Sequence, residues 1–410
     1  MEVERNKKES MKPNILKSLL TMVCLLCSTN ASAYDFEVDG IYYNVVSLND
    51  LTCGVTNGSR SYKGDIVIPA TVDYANKTLT VVEIGYATFK KSSITSITIP
   101  RTISSIGDNM FTGCKSLEHV KIEDGKTTLD LGYNRDAGTG LFCDSPIKTL
   151  YIGRNLSYRT DSRYGYSPFF KTKTITDVTI SDTVTEISDS EFRGLNLTSV
   201  EIPNSVTKIG SYAFHGCEAL QNLVIPNSVT KIGSYAFNTC RNLTSLTLPN
   251  SITAIEGFTF GGCSNLSALT LPNSVTTIGE SAFCYCKSLT SFTIPKAVTT
   301  IGPKAFMGCD ALATLYALPT TPPNVEWGCF DNNHYMTLNI LVPQESLTTY
   351  QNAEVWKDFW NLQGFNATGI ENVKVESGKD NEVYYDLRGN RLNAPKRGLN
   401  IINGKKVIVK

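Results

Sequence analysis

Cys217, Cys240, Cys263, Cys286 and Cys309 recur at one fixed interval, and Cys114 holds the same place in an earlier copy. Thiols at regular spacing can pair as disulfides, ligate a metal, attack as nucleophiles, or stay reduced in a core. A metal site needs C-x-x-C pairs or histidines at matched spacing. The closest pair is Cys284-Tyr285-Cys286, one extra cysteine inside a repeat, and the chain has only 3 histidines, His119, His215 and His334. His215 stands where the next copy has Asn238, which places it on an exposed loop. His119 falls on an outward strand position beside Glu118 and Lys121, a solvated surface. No nucleophile elbow, H-E-x-x-H or phosphate loop occurs, and the carboxylates form no acid–base pair. The expectation is a protein that is not an enzyme and holds no cofactor or metal.

Disulfides are judged by geometry. Stacked copies would bring equivalent Cα atoms within the disulfide window of about 4.4–6.8 Å. The side chains would point in parallel, however, and a run of equivalent thiols offers no preferred partner. Free cysteine also behaves as a small buried hydrophobe. A reduced ladder of core cysteines is therefore expected.

The elements that position these thiols are repeats. "LTSVEIPNSVTKIGSYAFHGCEA" opens at Leu197, and further units of equal length open in register at Leu220, Leu243, Leu266 and Leu289, the last ending at Ala311. Pro203, Pro226, Pro249, Pro272 and Pro295 share one spacing, and so do Phe214, Phe237, Phe260, Phe283 and Phe306. An earlier copy, "ITSITIPRTISSIGDNMFTGCKS", opens at Ile94. Within a unit, L-x-x-L-x-I alternates apolar residues as a short strand does. Proline then ends it, having no N–H to give to a ladder. No such segment can bury itself alone. Stacked coils solve this by setting each Leu, Ile, Val and Phe on its counterparts above and below, with the strands in a parallel sheet.

The pattern I-P-x-S-V-x-x-I-G-x-x-A-F-x-x-C resembles the BspA-like class of bacterial leucine-rich repeats over roughly residues 60–360. The resemblance implies a repeat solenoid, a right-handed coil with short parallel β-strands, an N-terminal β cap, a C-terminal helical cap and a small β tail. It also implies a bacterial surface protein with adhesion or host-interaction roles. The asparagine position of the general leucine-rich pattern holds Ser205, Ser228, Ser251, Ser274 and Ala297 here. Serine can still bond loop backbone, so the coil should close with a weaker ladder.

Outside the repeats the chain divides readily. Residues 1–33 read as a signal peptide starting at Met11, with Lys12 and Lys17, an apolar run from Ile15 to Cys27, and Ala31-Ser32-Ala33 before Tyr34. That run is too short to span a bilayer. A lipoprotein reading would use Cys27, but bulky Leu26 precedes it. Residues 34–62 alternate as a β-hairpin cap, 63–365 form the solenoid with its C-terminal cap, and 366–410 form a β segment that reads as a sorting tail. Within the cap, Trp356, Phe359 and Trp360 fit an amphipathic helix, and Asn403-Gly404 marks a hairpin. A formal net charge of zero leaves no basic excess for phosphates, so nucleic acid is not an expected partner.

Surface is what remains for function. The regular coils present small polar residues such as Thr244, Ser245 and Thr247. The coils from Leu117 to Thr174 are longer than the regular unit and gather Tyr133, Arg135, Tyr151, Arg154, Tyr158, Arg159, Arg163, Tyr164 and Tyr166. Tyrosine and arginine are enriched at binding hot spots, so these are the candidate ligand-binding residues. A tolerated loop insertion is the bland alternative. The expectation is a secreted or surface-located, monomeric, non-catalytic solenoid that binds an extracellular or host-surface protein, or a glycan. A carbohydrate-binding scaffold and a structural spacer are the rival readings.

Overall fold

The computed structural model describes residues 34–133, 140–159, 167–170 and 172–366, together with backbone strands between 384 and 409. The expected signal peptide, residues 1–33, lies outside the described residues.

Each coil contributes two short parallel ladders. The first comes from L-x-x-L-x-I. Strands Lys63–Val67, Ser93–Ile99, His119–Ile122, Thr149–Ile152 and Asp177–Ile180 form one five-stranded parallel sheet. Beyond it this ladder is broken. Only Asn222–Val224 with Ser245–Thr247, and later Ser291–Ile294 with Thr314–Ala317, Asn339–Pro343 and Asn361–Phe365, pair as strands. At the coils opening at Leu197 and Leu266 the expected strands are replaced by single bonds, such as Gln221 N–H to Thr198 O at 3.2 Å. The second ladder comes from the x-I-G segment, as in Lys208–Ile209 beside Lys231–Ile232.

The proline turn closes each coil. In the regular units the proline carbonyl accepts the N–H three residues on, as Pro226 does from Val229 at 3.0 Å. The serines after it divide. Ser274 Oγ donates to Ile252 O at 2.6 Å in the preceding coil, and Ser251 does the same to Val229 O. The hydroxyls of Ser205 and Ser228 are buried without a partner. The weaker ladder expected of serine is thus weaker in some coils and missing in others.

Inside runs a phenylalanine column. Phe89, Phe111, Phe142 and Phe169 stack in sequence, and a second run goes from Phe192 through Phe214, Phe237, Phe260, Phe283 and Phe306 to Phe330. Neighbouring centroids lie between 4.5 Å (Phe111–Phe142) and 5.9 Å (Phe89–Phe111), and every ring is buried. Offset stacking at such distances adds about 0.5–1.5 kcal/mol per pair beyond burial.

Two tight turns flank most of these phenylalanines, and both use left-handed backbone; Phe142 has neither, and Phe330 lacks the second. Two residues before the ring stand Ala87, Asn109, Ser190, Tyr212, Tyr235, Phe258, Ser281 and Lys304, with φ between 51° and 63°. Two residues after it stand Gly113, Gly194, Gly216, Gly262 and Gly308, or, less comfortably, Lys91, Thr239 and Tyr285. Tyr212, Tyr235 and Phe258 offset part of that strain by stacking on one another at 4.5 Å.

At the N-terminal end Phe36–Val38, Ile41–Ser47 and Thr52–Val55 pair antiparallel, and the last joins Lys77–Ile84 in parallel. At the other end the expected helix lies earlier than Trp356. It spans Leu347–Asn352, and Trp356 sits in a 3₁₀ turn with its indole N–H donating to Pro323 O at 2.9 Å. Phe359 is buried, but Trp360 is 76% exposed. In the tail, Gly398–Ile402 pairs antiparallel with Lys405–Val409, with Ile402 opposite Lys405, and Asn403-Gly404 between them lie outside the described residues.

Candidate functional site

Strand alternation sends every second residue of the five-stranded sheet outward. Register then aligns these residues in two rows across the strands. One row is Asp65, Ser96, His119, Thr149 and Asp177, and the other is Val67, Thr98, Lys121, Tyr151 and Thr179. The corresponding places in regular coils hold mostly serine and threonine, so the two middle strands stand out by size and charge.

These side chains are tied together. His119 Nδ1 and Thr149 Oγ1 share a hydrogen bond of 2.7 Å, and the Lys148 ammonium donates to Glu118 at 2.8 Å. Tyr151 donates its phenol to Asp124 at 2.7 Å, and the Lys121 ammonium lies 5.7 Å from the centre of the Tyr151 ring. Asp65 accepts from the hydroxyls of Thr95 and Ser96, both at 2.7 Å, and these bonds hold its carboxyl below the ordinary value. The Lys148 bond does the same for Glu118. Together the rows floor a shallow depression of about 310 Å³, lined by His119, Lys121, Tyr151, Asp177 and the threonines between them. The arrangement offers donors, acceptors, charge and one aromatic ring, and its one hydroxyl beside an imidazole is Thr149 at His119.

Among the described candidate residues, Tyr151 alone is on the sheet face. Arg154 is fully buried and is a correction: its guanidinium donates to Pro100 O at 2.9 Å, Arg101 O at 3.0 Å and Ile103 O at 2.8 Å. It stitches its own coil to the one two turns back, passing Gly125, where an added Cβ would come within 3.2 Å of its chain. An arginine so committed touches no ligand. Tyr133 and Arg159 pair with each other, the guanidinium 4.6 Å from the ring centre. Tyr158 is half-buried and donates to Asp189 O at 3.0 Å. Arg135, Arg163, Tyr164 and Tyr166 lie outside the described residues.

Sequence reasoning passed over His119 and Lys121 as ordinary solvated surface. The signal was available once the units were set under one another. Glu118-His119-x-Lys121 and Lys148-Thr149-x-Tyr151 fill the outward strand positions that hold Thr244-Ser245-x-Thr247 in a regular coil. His215 is also corrected. It is half-buried, edge-on to Tyr212, with Nδ1 unpartnered, and burial aided by nearby Arg193 pushes it down to about 4.

A second depression, of about 350 Å³, opens where strand Leu156–Ser157 fails to pair with Glu186–Ile187. Asn155 spans the break, accepting from Thr185 N–H at 2.8 Å. Its charges are matched within the protein, Lys208 by Glu186. The buried Glu191 carboxyl nearby accepts from Ser188 N–H at 2.7 Å, and burial pushes it up to about 8. Among the described residues no group of three or more His, Cys, Asp or Glu side chains is placed to hold a metal, and no helix is long and apolar enough to cross a membrane.

The family described as "BspA type Leucine rich repeat region (6 copies)" matches residues 82–217, 163–290 and 276–375. No curated protein matches the chain. Similar solved structures include a leucine-rich cell surface protein from Faecalibacterium prausnitzii, at 23% identity and TM-score 0.30, covering 71% of this chain and 94% of that one. A leucine-rich repeat protein from Bacteroides ovatus is 22% identical with TM-score 0.38, over 81% and 100%. The pneumococcal vaccine antigen PcpA is 18% identical with TM-score 0.35, over 82% and 98%.

Proposed function

The chain belongs to the family of BspA-type leucine-rich-repeat proteins, and from that premise we propose that it is a non-catalytic, adhesin-like binding solenoid. Its working surface in this reading is the sheet face around His119, Lys121 and Tyr151. The observation that carries the reading is one of placement. The two strands that exchange serine and threonine for Glu118, His119, Lys121, Lys148 and Tyr151 lie at the middle of the five-stranded sheet. Bulky, partly ordered polar groups on a rigid sheet lose little entropy on contact.

The rest of the reading follows the chain. Residues 1–33 act as an export signal cleaved before Tyr34, and the mature protein is secreted or held at the bacterial surface, where it meets an extracellular or host protein as a monomer. The antiparallel strands of residues 34–62 and the helix and turns near Trp356 serve as caps. Both leave less of a strand edge open, which supports that role. We assign the coil a right-handed course, the solenoid to residues 63–365, and the segment 366–410 to a sorting tail. Tyr133, Tyr158 and Arg159, with Arg135, Arg163, Tyr164 and Tyr166, form a second contact region on the loops. A peptide partner is favoured over a glycan because a stacked sugar wants an open ring face, whereas Lys121 lies over Tyr151.

Purified residues 34–410 tested against immobilised extracellular-matrix proteins and a glycan array decide the matter. Binding to a matrix protein that falls at least tenfold, about 1.4 kcal/mol, in His119→Ala/Tyr151→Ala is the expected result. Equal loss from Thr247→Ala/Thr270→Ala moves the site elsewhere, binding to glycans alone favours the carbohydrate scaffold, and binding to neither leaves a spacer.

A further inference from the structure

The charged groups of the sheet-face depression fall into two sets. Asp65, Glu118 and Lys148 are already satisfied by the neighbours described above, as is Asp124 at its edge. Lys121 and Asp177 are not. Among the described residues the Lys121 ammonium has only the Tyr151 ring beside it, and no side chain bonds the Asp177 carboxylate. Both are exposed. In a patch where other charges are matched within the protein, these two are left for something else.

Their positions are set by register. Asp177 is two strands across from His119, in the same row, and Lys121 is two residues further along the strand of His119. With strands about 4.8 Å apart and about 3.3 Å per residue, their Cα atoms stand at opposite corners, roughly 11–12 Å from each other. An extended chain advances about 13 Å in four residues and returns its side chain to the same face. The diagonal therefore matches residues i and i+4 of an extended peptide. The residue between them on that face, i+2, would lie over Thr149, beside the Tyr151 ring that Lys121 covers, where a small apolar side chain fits.

We infer that the depression around Tyr151 binds an extended peptide segment carrying opposite charges four residues apart with an apolar residue between them, its acid on Lys121 and its base on Asp177. This rests on the sheet-face reading above and gives it a partner chemistry. Single-charge ligands are disfavoured by the same pattern, since a doubly acidic segment would set one carboxylate against Asp177 and a doubly basic one would set an ammonium against Lys121. Like-charge contacts of this kind weaken binding, more when desolvated than at an exposed site.

The test uses residues 34–410 and three immobilised peptides with cores Glu-Thr-Val-Thr-Lys, Glu-Thr-Val-Thr-Glu and Lys-Thr-Val-Thr-Lys. Wild type should bind the mixed peptide at least tenfold tighter than the other two. Lys121→Glu, an exposed substitution whose folding is checked by circular dichroism, should invert the order and select the doubly basic peptide. Indifference of wild type to the three peptides, retention of none, or an unchanged order in Lys121→Glu overturns the inference. If it is overturned while His119→Ala/Tyr151→Ala still loses its matrix partner, the sheet face remains the binding surface and only the charge pattern is wrong.

Discussion

The thiol of Cys240 donates a hydrogen bond to the carbonyl oxygen of Phe214, 3.2 Å away in the preceding coil. The relationship repeats with the chain: Cys217 to Phe192 at 3.1 Å, Cys263 to Phe237 and Cys286 to Phe260 at 3.3 Å, Cys309 to Phe283 at 3.2 Å, and Cys114 to Phe89 at 3.0 Å. The cysteine is therefore a small core residue that gives a second hydrogen bond to a carbonyl already accepting a backbone N–H, as Phe214 O does from Cys217 at 3.1 Å. Ser145 and Thr172 do the same for Phe111 and Phe142, at 3.5 and 3.3 Å. No disulfide links the described cysteines.

Inert thiols follow from that geometry. Burial pushes Cys217 and Cys263 up to about 12, so almost no thiolate exists at neutral pH. A thiol reagent should label Cys143, which is only half-buried, well before the others. The buried cysteines should react only on unfolding. Cys240→Ala should lose about 1–2 kcal/mol in urea denaturation, whereas Cys240→Ser, which keeps a donor, should lose less. Equal losses would show that the bond to Phe214 contributes nothing.

Arg154 should behave as a structural residue. Removing the buried guanidinium leaves the carbonyls of Arg101 and Ile103 unpaired and Pro100 O with only the Ile103 N–H, and Arg154→Ala should cost about 3 kcal/mol or more by urea denaturation. Arg154→Lys should restore only part of it, because an ammonium lacks the planar fork that reaches all three oxygens. A surface role would instead leave stability unchanged.

Glu191 and His215 set opposite limits in pH. The folded state keeps Glu191 protonated up to about 8, while the unfolded chain loses that proton near 4.5. Its stabilising contribution is full below about 4.5 and is lost as pH rises to about 8. His215 resists protonation until about 4 when folded but takes a proton near 6.5 when unfolded. Its contribution is full above about 6.5 and is lost as pH falls to about 4. Glu191→Gln should therefore gain on wild type as pH rises through the first window, and His215→Asn should gain as pH falls through the second. Thermal melts across both windows, read as differences from wild type, check the two signs.

The left-handed turn after most ladder phenylalanines gives a matched pair of glycine tests. At Gly216, with φ +72°, the nearest atom to an added Cβ is 3.8 Å away, so Gly216→Ala reports backbone strain alone, about 1–2 kcal/mol. Gly308 has the same φ, but an added Cβ there would run into the Tyr285 ring. Gly308→Ala should cost more than Gly216→Ala, and the excess should disappear in a Tyr285→Gly background. An excess that persists would place the strain elsewhere.

The repeat was legible because Leu, Pro, Phe and Cys recur at a period that a solenoid requires. Asn403-Gly404 was legible because a two-residue turn has few chemical solutions. The role of Arg154 was hidden, since its partners are carbonyls of a coil far back in the chain and a carbonyl leaves no mark in a sequence. His215 was misread because its neighbours Tyr212 and Arg193 come from the turn geometry and the adjoining coil. The sheet-face group was half hidden: alternation marks Lys121 and Tyr151 as outward, but pairing Lys121 with Tyr151 takes the register of two strands from different coils.

The run from Ile202 to Phe214 returns unchanged from Ile225 to Phe237. A gene that misaligns with itself there can drop or gain one whole turn and leave a junction identical to the one it had, with Phe214 or Phe237 meeting the next ring as before. Molecular length in this region is therefore adjustable in single heritable steps that the folded chain does not resist. The stretch from Pro100 to Arg154 allows no such editing, because one guanidinium measures the distance across two turns. Natural variants should differ in reach by whole turns, while the stretch that Arg154 ties together keeps its length.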